Sequence, residues 1–330
     1  MSTFLIGVSL DPTPGIAASD IIPAQLSAAQ KLDASGIDSL TFSDSLGNAA
    51  GRTEFDALTT AAFISTQTRQ IGLVPTVTTT PTEPFHIATA TATLDYTGRG
   101  RAAWAPVPSL TEVEARTIGR RHAAAPDAAW AETARVIEVV RALWDSWDQD
   151  AEIRDPRTSR FLDRDRVHVI DARITDSVGR EYSVKGPSIV PRPPQGNPPV
   201  FITATDPEAV RAAARLADVI IVPVEPGGDV DGTLAPVHEA VDATGRRVPV
   251  LPGLSIPETA DHDWFTTEVG GLFRTGSPGV HLRPTALGKN TDSLIAEIVD
   301  SAGAYGSHAA GITFRDRLGL RPVAANQFAG

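Results

Sequence analysis

The sequence has no cysteine among its 330 residues. Disulfide bonds, thiolate metal sites and a cysteine nucleophile are therefore excluded. Positive charge is also scarce, because 29 Lys and Arg side chains stand against 40 Asp and Glu and leave a net charge of −11. No basic run is dense enough to follow a phosphate backbone. We therefore expect neither nucleic acid nor an anionic membrane as a partner.

Long hydrophobic runs are missing as well. No run approaches the roughly 18 apolar residues that a membrane span needs. The apolar run from Phe4 to Leu10 follows no basic segment and is too short for a secretion signal with a cleavage site. These features predict a cytoplasmic protein. We predict no metal site: His262, between Asp261 and Asp263, is interpreted as a solvated helix start, because residues i and i+2 of a helix point in different directions.

The chain instead alternates between apolar strands and helices, most clearly from Ile71 to Ser109. This stretch contains an apolar strand that ends in a threonine-rich segment, a Glu-Pro helix start, an Ala/Thr-rich helix and a second apolar strand. A strand, a helix and a strand in this order form the repeating unit of a parallel sheet. Ligands of such sheets bind at the carboxyl ends of the strands. We therefore expect the active site at residues 76–80 and 105–109.

Counting along the chain gives eight strand–helix pairs. This number predicts an α/β fold, a single (β/α)8 TIM barrel that spans residues 1–330 as one domain. The alternation lapses at residues 148–198, which are rich in charge, proline and glycine. We interpret them as an insertion after the fourth strand–helix unit, with a hairpin of strands at 167–173 and 180–186. Long excursions of this kind often serve as lids or substrate loops.

Five stretches carry a family resemblance: TVTTTPTEPFHIATATATLDYTGRGR, LWDSW, RFLDRDRVHVI, YSVKGPSIVPRPPQGNPPV and TFRDRLGLRPVAANQF. They resemble the bacterial-luciferase-like superfamily, in the branch of nitrilotriacetate monooxygenase and dibenzothiophene-sulfone monooxygenase. The resemblance implies a barrel that receives reduced FMN from a separate flavin reductase, reacts it with O2 and oxygenates a small organic substrate. It also implies a homodimer.

The resemblance assigns several strand-end residues to the flavin. Asp44 matches an aspartate at the end of strand two, and Thr76, Thr78 and Thr80 match a Thr/Ser-rich end of strand three. Ser109 matches a serine just after strand four. The residues themselves leave alternatives open: Asp44 can cap the following loop, and the threonines can bond to their own turn. No residue is an evident general base, so no catalytic residue is predicted.

Other cofactor positions depart from the family pattern. Ala105 and Pro108 replace an asparagine and a threonine after strand four. Pro126, Ala129 and Trp130 stand where the family has histidine, arginine and tyrosine. Two hydrogen-bonding groups are thereby lost, although Trp130 could still stack on the flavin ring.

The turn after strand five departs most. Thr205 and Asp206 are the candidate cofactor contacts there, but Asp206 and Ala209 replace the serine and glycine that hold the FMN phosphate in the family. Asp206 is interpreted as a helix N-cap, with Pro207 at the first helical position and Glu208 in the first turn. The Asp206 carboxylate would occupy the amides that should bind a phosphate and would repel that phosphate.

These observations support two hypotheses. The first is a flavin-dependent monooxygenase, with a deazaflavin-dependent hydride transfer as a variant. The second is a non-catalytic paralogue that has lost flavin binding and acts as a partner subunit or a small-molecule binding protein.

Overall fold

The computed structural model describes residues 4–12, 15–47, 53–119, 121–285, 291–305, 311–321 and 323. The barrel strands are β1 (Leu5–Ser9), β2 (Ser39–Phe42), β3 (Gly72–Thr78), β4 (Ala105–Val107), β9 (Phe201–Thr203), β10 (Val219–Val224), β11 (Val250–Ile256) and β12 (Gly279–Pro284). The other strands are β5 (Glu152–Asp155), β6 (Arg160–Leu162), β7 (Asp171–Thr175) and β8 (Glu181–Lys185). The helices are α1 (Ala18–Ser35), α2 (Ala57–Ser65), α3 (Pro84–Thr97), α4 (Glu112–Ile118), α5 (Pro126–Asp145), α6 (Pro207–Leu216), α7 (Val230–Asp242), α8 (His262–Thr275), α9 (Thr291–Tyr305) and α10 (Phe314–Arg317).

The eight barrel strands form one parallel sheet in the order β4-β3-β2-β1-β12-β11-β10-β9. Its two outer strands come together through a parallel bridge between Trp104 and Val200. At this seam the Trp104 amide donates to the Pro199 carbonyl at 3.0 Å, and the Phe201 amide donates to the Trp104 carbonyl at 2.9 Å. The sheet thus closes on itself, and the predicted TIM barrel is confirmed.

The amino-terminal end of the barrel is filled with apolar side chains. Phe314 of α10 is fully buried there and stacks on Phe201, with 6.1 Å between ring centroids. Gly72 leaves the room for it, because a Cβ at Gly72 would lie only 2.5 Å from the Phe314 ring. Leu5, Val74 and other strand residues pack in the same cluster. Any opening into the barrel therefore lies at the carboxyl ends of the strands.

The segment between α5 and β9 forms two antiparallel hairpins, β5–β6 and β7–β8. The second confirms the predicted hairpin, but its strands lie at 171–175 and 181–185 instead of 167–173 and 180–186. Its turn sets this register, because the Asp176 carboxylate accepts the amides of Val178 and Arg180, and Gly179 has a φ of 82°. The first hairpin escaped the sequence analysis because its strands are short and lack an alternating pattern.

The β7–β8 hairpin packs against α5. The Ser177 amide donates to Glu132 Oε2 at 2.9 Å, and Arg121 bridges the carboxylates of Glu132 (2.9 Å) and Asp176 (3.3 Å). Residues 148–198 contribute no lining residue to the strand-end cavity described below. Their lid role therefore stays a prediction, as does the assignment of residues 1–330 to one domain.

Within the described ranges, no helix combines the length and the apolar character needed to cross a membrane.

Candidate active site at the barrel mouth

A cavity of about 110 Å³ opens at the carboxyl ends of the barrel strands. Each of the eight strands contributes to it, as parallel barrels with active sites at this end require. Thr76 and Ala105 lie there, at the two strand ends that the sequence indicated. The described residues that line it are Ser9, Asp11, Thr41, Ser43, Thr76, Ala105, Phe201, Thr203, Ile221, Pro223, Gly253, His281 and Arg283.

A larger groove of about 470 Å³ lies elsewhere, between α5, α6 and α7. Alanine side chains such as Ala131 and Ala212 form much of its wall. It is a groove between helices and not a point where strand ends converge. The barrel mouth is therefore the better candidate for an active site, although its cavity is smaller.

The base of the mouth cavity is a cluster of three polar side chains from three adjacent strands. Ser9 Oγ lies 2.8 Å from Thr41 Oγ1 and 3.0 Å from His281 Nε2, and Thr41 Oγ1 lies 3.3 Å from the same nitrogen. All three side chains are buried. Gly7 gives the imidazole its space, because a Cβ there would lie 2.7 Å from His281 Nδ1.

His281 is held in its neutral form. Burial, and the neighbouring positive charge of Arg283, lower its pKa to about 4. Arg283 lies two residues further along β12, lines the cavity and donates to Ser255 Oγ at 2.9 Å. A neutral imidazole offers one donor and one acceptor nitrogen. The base of the cavity therefore suits uncharged polar groups that form hydrogen bonds.

The sequence analysis missed His281. The available signal was one histidine in the otherwise largely apolar strand GVHLRP. Alternation along a strand separates its two faces, but it does not say which face of a barrel strand points inward.

Comparison with known proteins identifies the family. A family model described as luciferase-like monooxygenase matches residues 4–263. The chain belongs to this family. The resemblance stated from the sequence motifs is thereby confirmed, including the branch that contains dibenzothiophene-sulfone monooxygenase.

Two curated relatives and one solved structure illustrate the family likeness. Dibenzothiophene-sulfone monooxygenase of Rhodococcus erythropolis is 32% identical over 197 residues, which cover 59% of this chain and 42% of that protein. One of the subunits of pristinamycin IIA synthase from Streptomyces pristinaespiralis is 28% identical over 295 residues, which cover 89% of this chain and 87% of that subunit. The structure of EDTA monooxygenase (EmoA) from Chelativorans sp. BNC1 matches with a TM-score of 0.80 at 16% identity. The match covers 98% of this chain and 100% of that structure, and it shows the shared fold. Three curated relatives match this chain at 31 to 32% identity over 197 to 227 residues. The chain spans only 42 to 50% of the length of these three proteins.

The luciferase-like barrel places the predicted strand-end residues in different surroundings. Thr76 lines the mouth cavity, and Thr78 is buried in β3. Thr80 Oγ1 accepts the amide of Ser109 at 2.8 Å, so this threonine joins the segment after β3 to the segment after β4 and does not bond to its own turn there. The Ser109 hydroxyl is buried and has no hydrogen-bond partner among the described residues.

Asp44 makes the contact that was its alternative, because its carboxylate caps the end of the loop that follows it. Its Oδ2 accepts the amide of Ala57, the first residue of α2, at 2.7 Å. Burial raises the pKa of Asp44 to about 6, the Ala57 amide opposes this rise, and the charges of Asp56 and Glu54 add to it. Asp44 does not line the mouth cavity as the structure describes it.

The remaining predicted residues lie near the starts of α5 and α6. Trp130 is 7% exposed and lines the groove between α5, α6 and α7 instead of the mouth cavity. Asp206 caps α6, because its Oδ1 accepts the Ala209 amide at 2.8 Å, while the Thr205 hydroxyl lies 3.2 Å from its Oδ2. His262 is exposed at the start of α8, in agreement with its interpretation as a solvated helix start.

The described residues suit the ring of FMN but not its phosphate. The hydroxyl groups of Ser9, Thr41, Thr76 and Thr203, together with His281, suit the hydrogen-bonding edge of a flavin ring. The start of α6 does not suit a phosphate, because the carboxylate of the cap already takes an amide there. The family's phosphate-binding turn is therefore not reproduced, and the predicted FMN contacts at Thr205 and Asp206 do not form a phosphate cradle.

Proposed function

We propose that this chain is a flavin-dependent monooxygenase that oxygenates a small organic substrate. Reduced flavin comes from a separate flavin reductase, and O2 is the second substrate. The observation that supports this proposal is the mouth cavity, where residues from all eight barrel strands converge on a polar base. Membership of the luciferase-like monooxygenase family supports the same activity.

The residues of this chain have limited tasks in such a reaction. A bound reduced flavin supplies the electrons for oxygen chemistry. Ser9, Thr41 and His281 orient uncharged polar atoms at the base of the cavity. Phe201 and Ile221 line the same cavity and help to exclude water from it. No residue is assigned as a general acid or base.

Product formation with a reductase tests the proposed activity. The purified chain is incubated with NADH, flavin, O2 and a flavin reductase, and dibenzothiophene sulfone and EDTA serve as trial substrates because relatives are named for them. We expect an oxygenated product by mass spectrometry only when the reductase is present. Product formation without a reductase would refute the two-component arrangement, and a chain that oxygenates neither compound nor a wider panel of small organic substrates would refute the activity.

A second candidate function is that of a partner protein that does not take up flavin itself. The carboxylate cap at Asp206 favours it, since the cap occupies the turn that would hold a phosphate. The likeness to one of the subunits of pristinamycin IIA synthase adds support, because that relative is named as part of an assembly and matches over 87% of its length. Flavin titration of the purified chain separates the two candidates, since a partner protein of this kind takes up no flavin alone.

The proposal includes a homodimer in the cytoplasm. Aromatic side chains on α2 and α3 support self-association, because Phe63 is 45% exposed and Tyr96 is 44% exposed. Phe55, just before α2, is 40% exposed and lies with Phe63 and Ile22 along one apolar hollow. Exposed apolar patches of this kind often mark protein interfaces.

A further inference from the structure

Acidic side chains cap the helices that begin at the carboxyl-terminal face of the barrel. A helix N-terminus normally attracts phosphate through free amides and its partial positive charge. In five helices that follow barrel strands, an acidic side chain at the N-cap accepts hydrogen bonds from backbone amides of the first turn. The caps are Asp56 of α2, Glu83 of α3, Asp206 of α6, Asp229 of α7 and Asp261 of α8.

Two further described helix starts, those of α1 and α5, lack a side-chain cap. Each still has an acid in its first turn, Asp20 in α1 and Asp127 in α5. In α5 the first helical residue is Pro126, which has no amide hydrogen to donate. The seven helix starts named here therefore all have negative charge where a phosphate would bind.

The start of α6 leaves little for a phosphate to bind. Pro207 at the first position has no amide hydrogen, and the Ala209 amide donates to Asp206. Only the Glu208 amide remains of the first three, and the Glu208 side chain adds a second carboxylate there. The nearest cation of the same helix, Arg211, pairs with Glu208 at 2.7 Å.

We propose that the Asp206 carboxylate excludes the 5′-phosphate, so that the flavin bound at this barrel mouth is uncharged riboflavin and not FMN. This inference rests on the proposed function, since it concerns the flavin that the same site takes. A phosphate monoester carries a charge of about −1.5 to −2 at pH 7 and presents only acceptor oxygens to its surroundings. The terminal hydroxyl of riboflavin is neutral and donates a hydrogen bond that a carboxylate can accept.

Parallel titrations with the two flavins test this inference. The purified chain is titrated with riboflavin and with FMN, each oxidised and then reduced under anaerobic conditions, and flavin fluorescence or heat is recorded. We expect a Kd for riboflavin at least tenfold below that for FMN. The difference should narrow as the salt concentration rises, because the repulsion between carboxylate and phosphate is screened.

Charge-removing variants identify the carboxylate responsible. Asp206→Asn keeps an effective cap, because asparagine caps helices about as well as aspartate. We expect FMN to bind at least tenfold more tightly to Asp206→Asn than to the wild type, while riboflavin affinity changes less than threefold. Asp229→Asn, which removes the corresponding charge at α7, is the matched control and should keep the wild-type preference. Circular dichroism and Tm confirm that each variant is folded.

The possible outcomes are distinct. Tighter binding of FMN than of riboflavin by the wild type would overturn the inference and leave the proposed function intact. An unchanged preference in Asp206→Asn, or an equal gain of FMN affinity in Asp229→Asn, would overturn the assignment to Asp206. Failure of the wild type to bind either flavin would overturn both the inference and the proposed function.

Discussion

Replacing Gly279 with alanine should destabilise the barrel by at least about 3 kcal/mol. Gly279 is the first residue of β12 and pairs with Leu5 of β1. A Cβ at this position would overlap the carbonyl oxygen of Leu5 and would lie 2.8 Å from its backbone nitrogen. These are backbone atoms of a paired strand, so the clash is relieved only if β1 and β12 move apart. Urea unfolding followed by circular dichroism measures the loss.

Gly303 provides the matched control for this substitution. It lies within α9, and a Cβ there would meet nothing within 4 Å. Alanine loses less backbone freedom on folding than glycine, so Gly303→Ala should stabilise the protein by about 0.5–1 kcal/mol. A Gly279→Ala protein within about 1 kcal/mol of the wild type would contradict the close approach of β1 and β12.

The second large effect is a pH-dependent stability difference at His281. Its pKa is about 4 in the folded protein, against an ordinary value of 6.5 for a solvated histidine in the unfolded chain. Well above pH 6.5 the ring is neutral in both states, so its titration leaves stability unchanged there. As the pH falls further, the unfolded chain takes up the proton first, and the folded state loses stability until it too is protonated near its own pKa. At a pH of about 4.5 the loss is about 2.5 kcal/mol.

The variant His281→Asn has no titrating group at this position. It should lie below the wild type in stability at a pH of about 7.5, because it disturbs the contacts with Ser9 and Thr41. That difference in stability should shrink or reverse at a pH of about 4.5. Only the wild type loses stability there through protonation of residue 281 in the unfolded chain. Burial raises the pKa of Asp38 and Asp95 to about 6, but these carboxyls are present in both proteins and cancel from the comparison.

His262→Asn is the control for the pH series. His262 is exposed at the start of α8, so the same substitution there controls for the exchange of histidine for asparagine at a surface position. Denaturant unfolding at a series of pH values from about 7.5 to about 4.5 provides the comparison. Parallel curves for the wild type and His281→Asn would contradict the buried, neutral state of His281.

Sequence alone predicted the barrel because buried parallel strands and the helices between them have different patterns. Strands β3, β10 and β11 are largely apolar runs six or seven residues long, each followed by a helical segment. The cap at Asp206 could also be predicted, because capping depends on a few consecutive residues. Short elements were harder: α4 was missed even though Thr111 and Glu114 form a capping box at its start.

The arrangement of the site could not be derived in the same way, because it depends on contacts between distant parts of the chain. Ser9 and His281 are 272 positions apart, and Thr41 and His281 are 240 apart. No local pattern states that these three side chains meet. Trp130 illustrates the same limit: the resemblance indicated a place at the flavin ring, but the packing of α5 on α6 sets the groove that this side chain lines.

The proposed function depends most directly on where flavin binds. The decisive measurement is the riboflavin and FMN affinity of two cavity-filling variants, Ala105→Phe in the barrel mouth and Ala212→Phe in the groove between α5, α6 and α7. We predict that the wild type and Ala212→Phe bind flavin with similar affinity, while Ala105→Phe binds at least tenfold more weakly and remains folded. Loss of binding in Ala212→Phe with full binding in Ala105→Phe would contradict a flavin site at the strand ends.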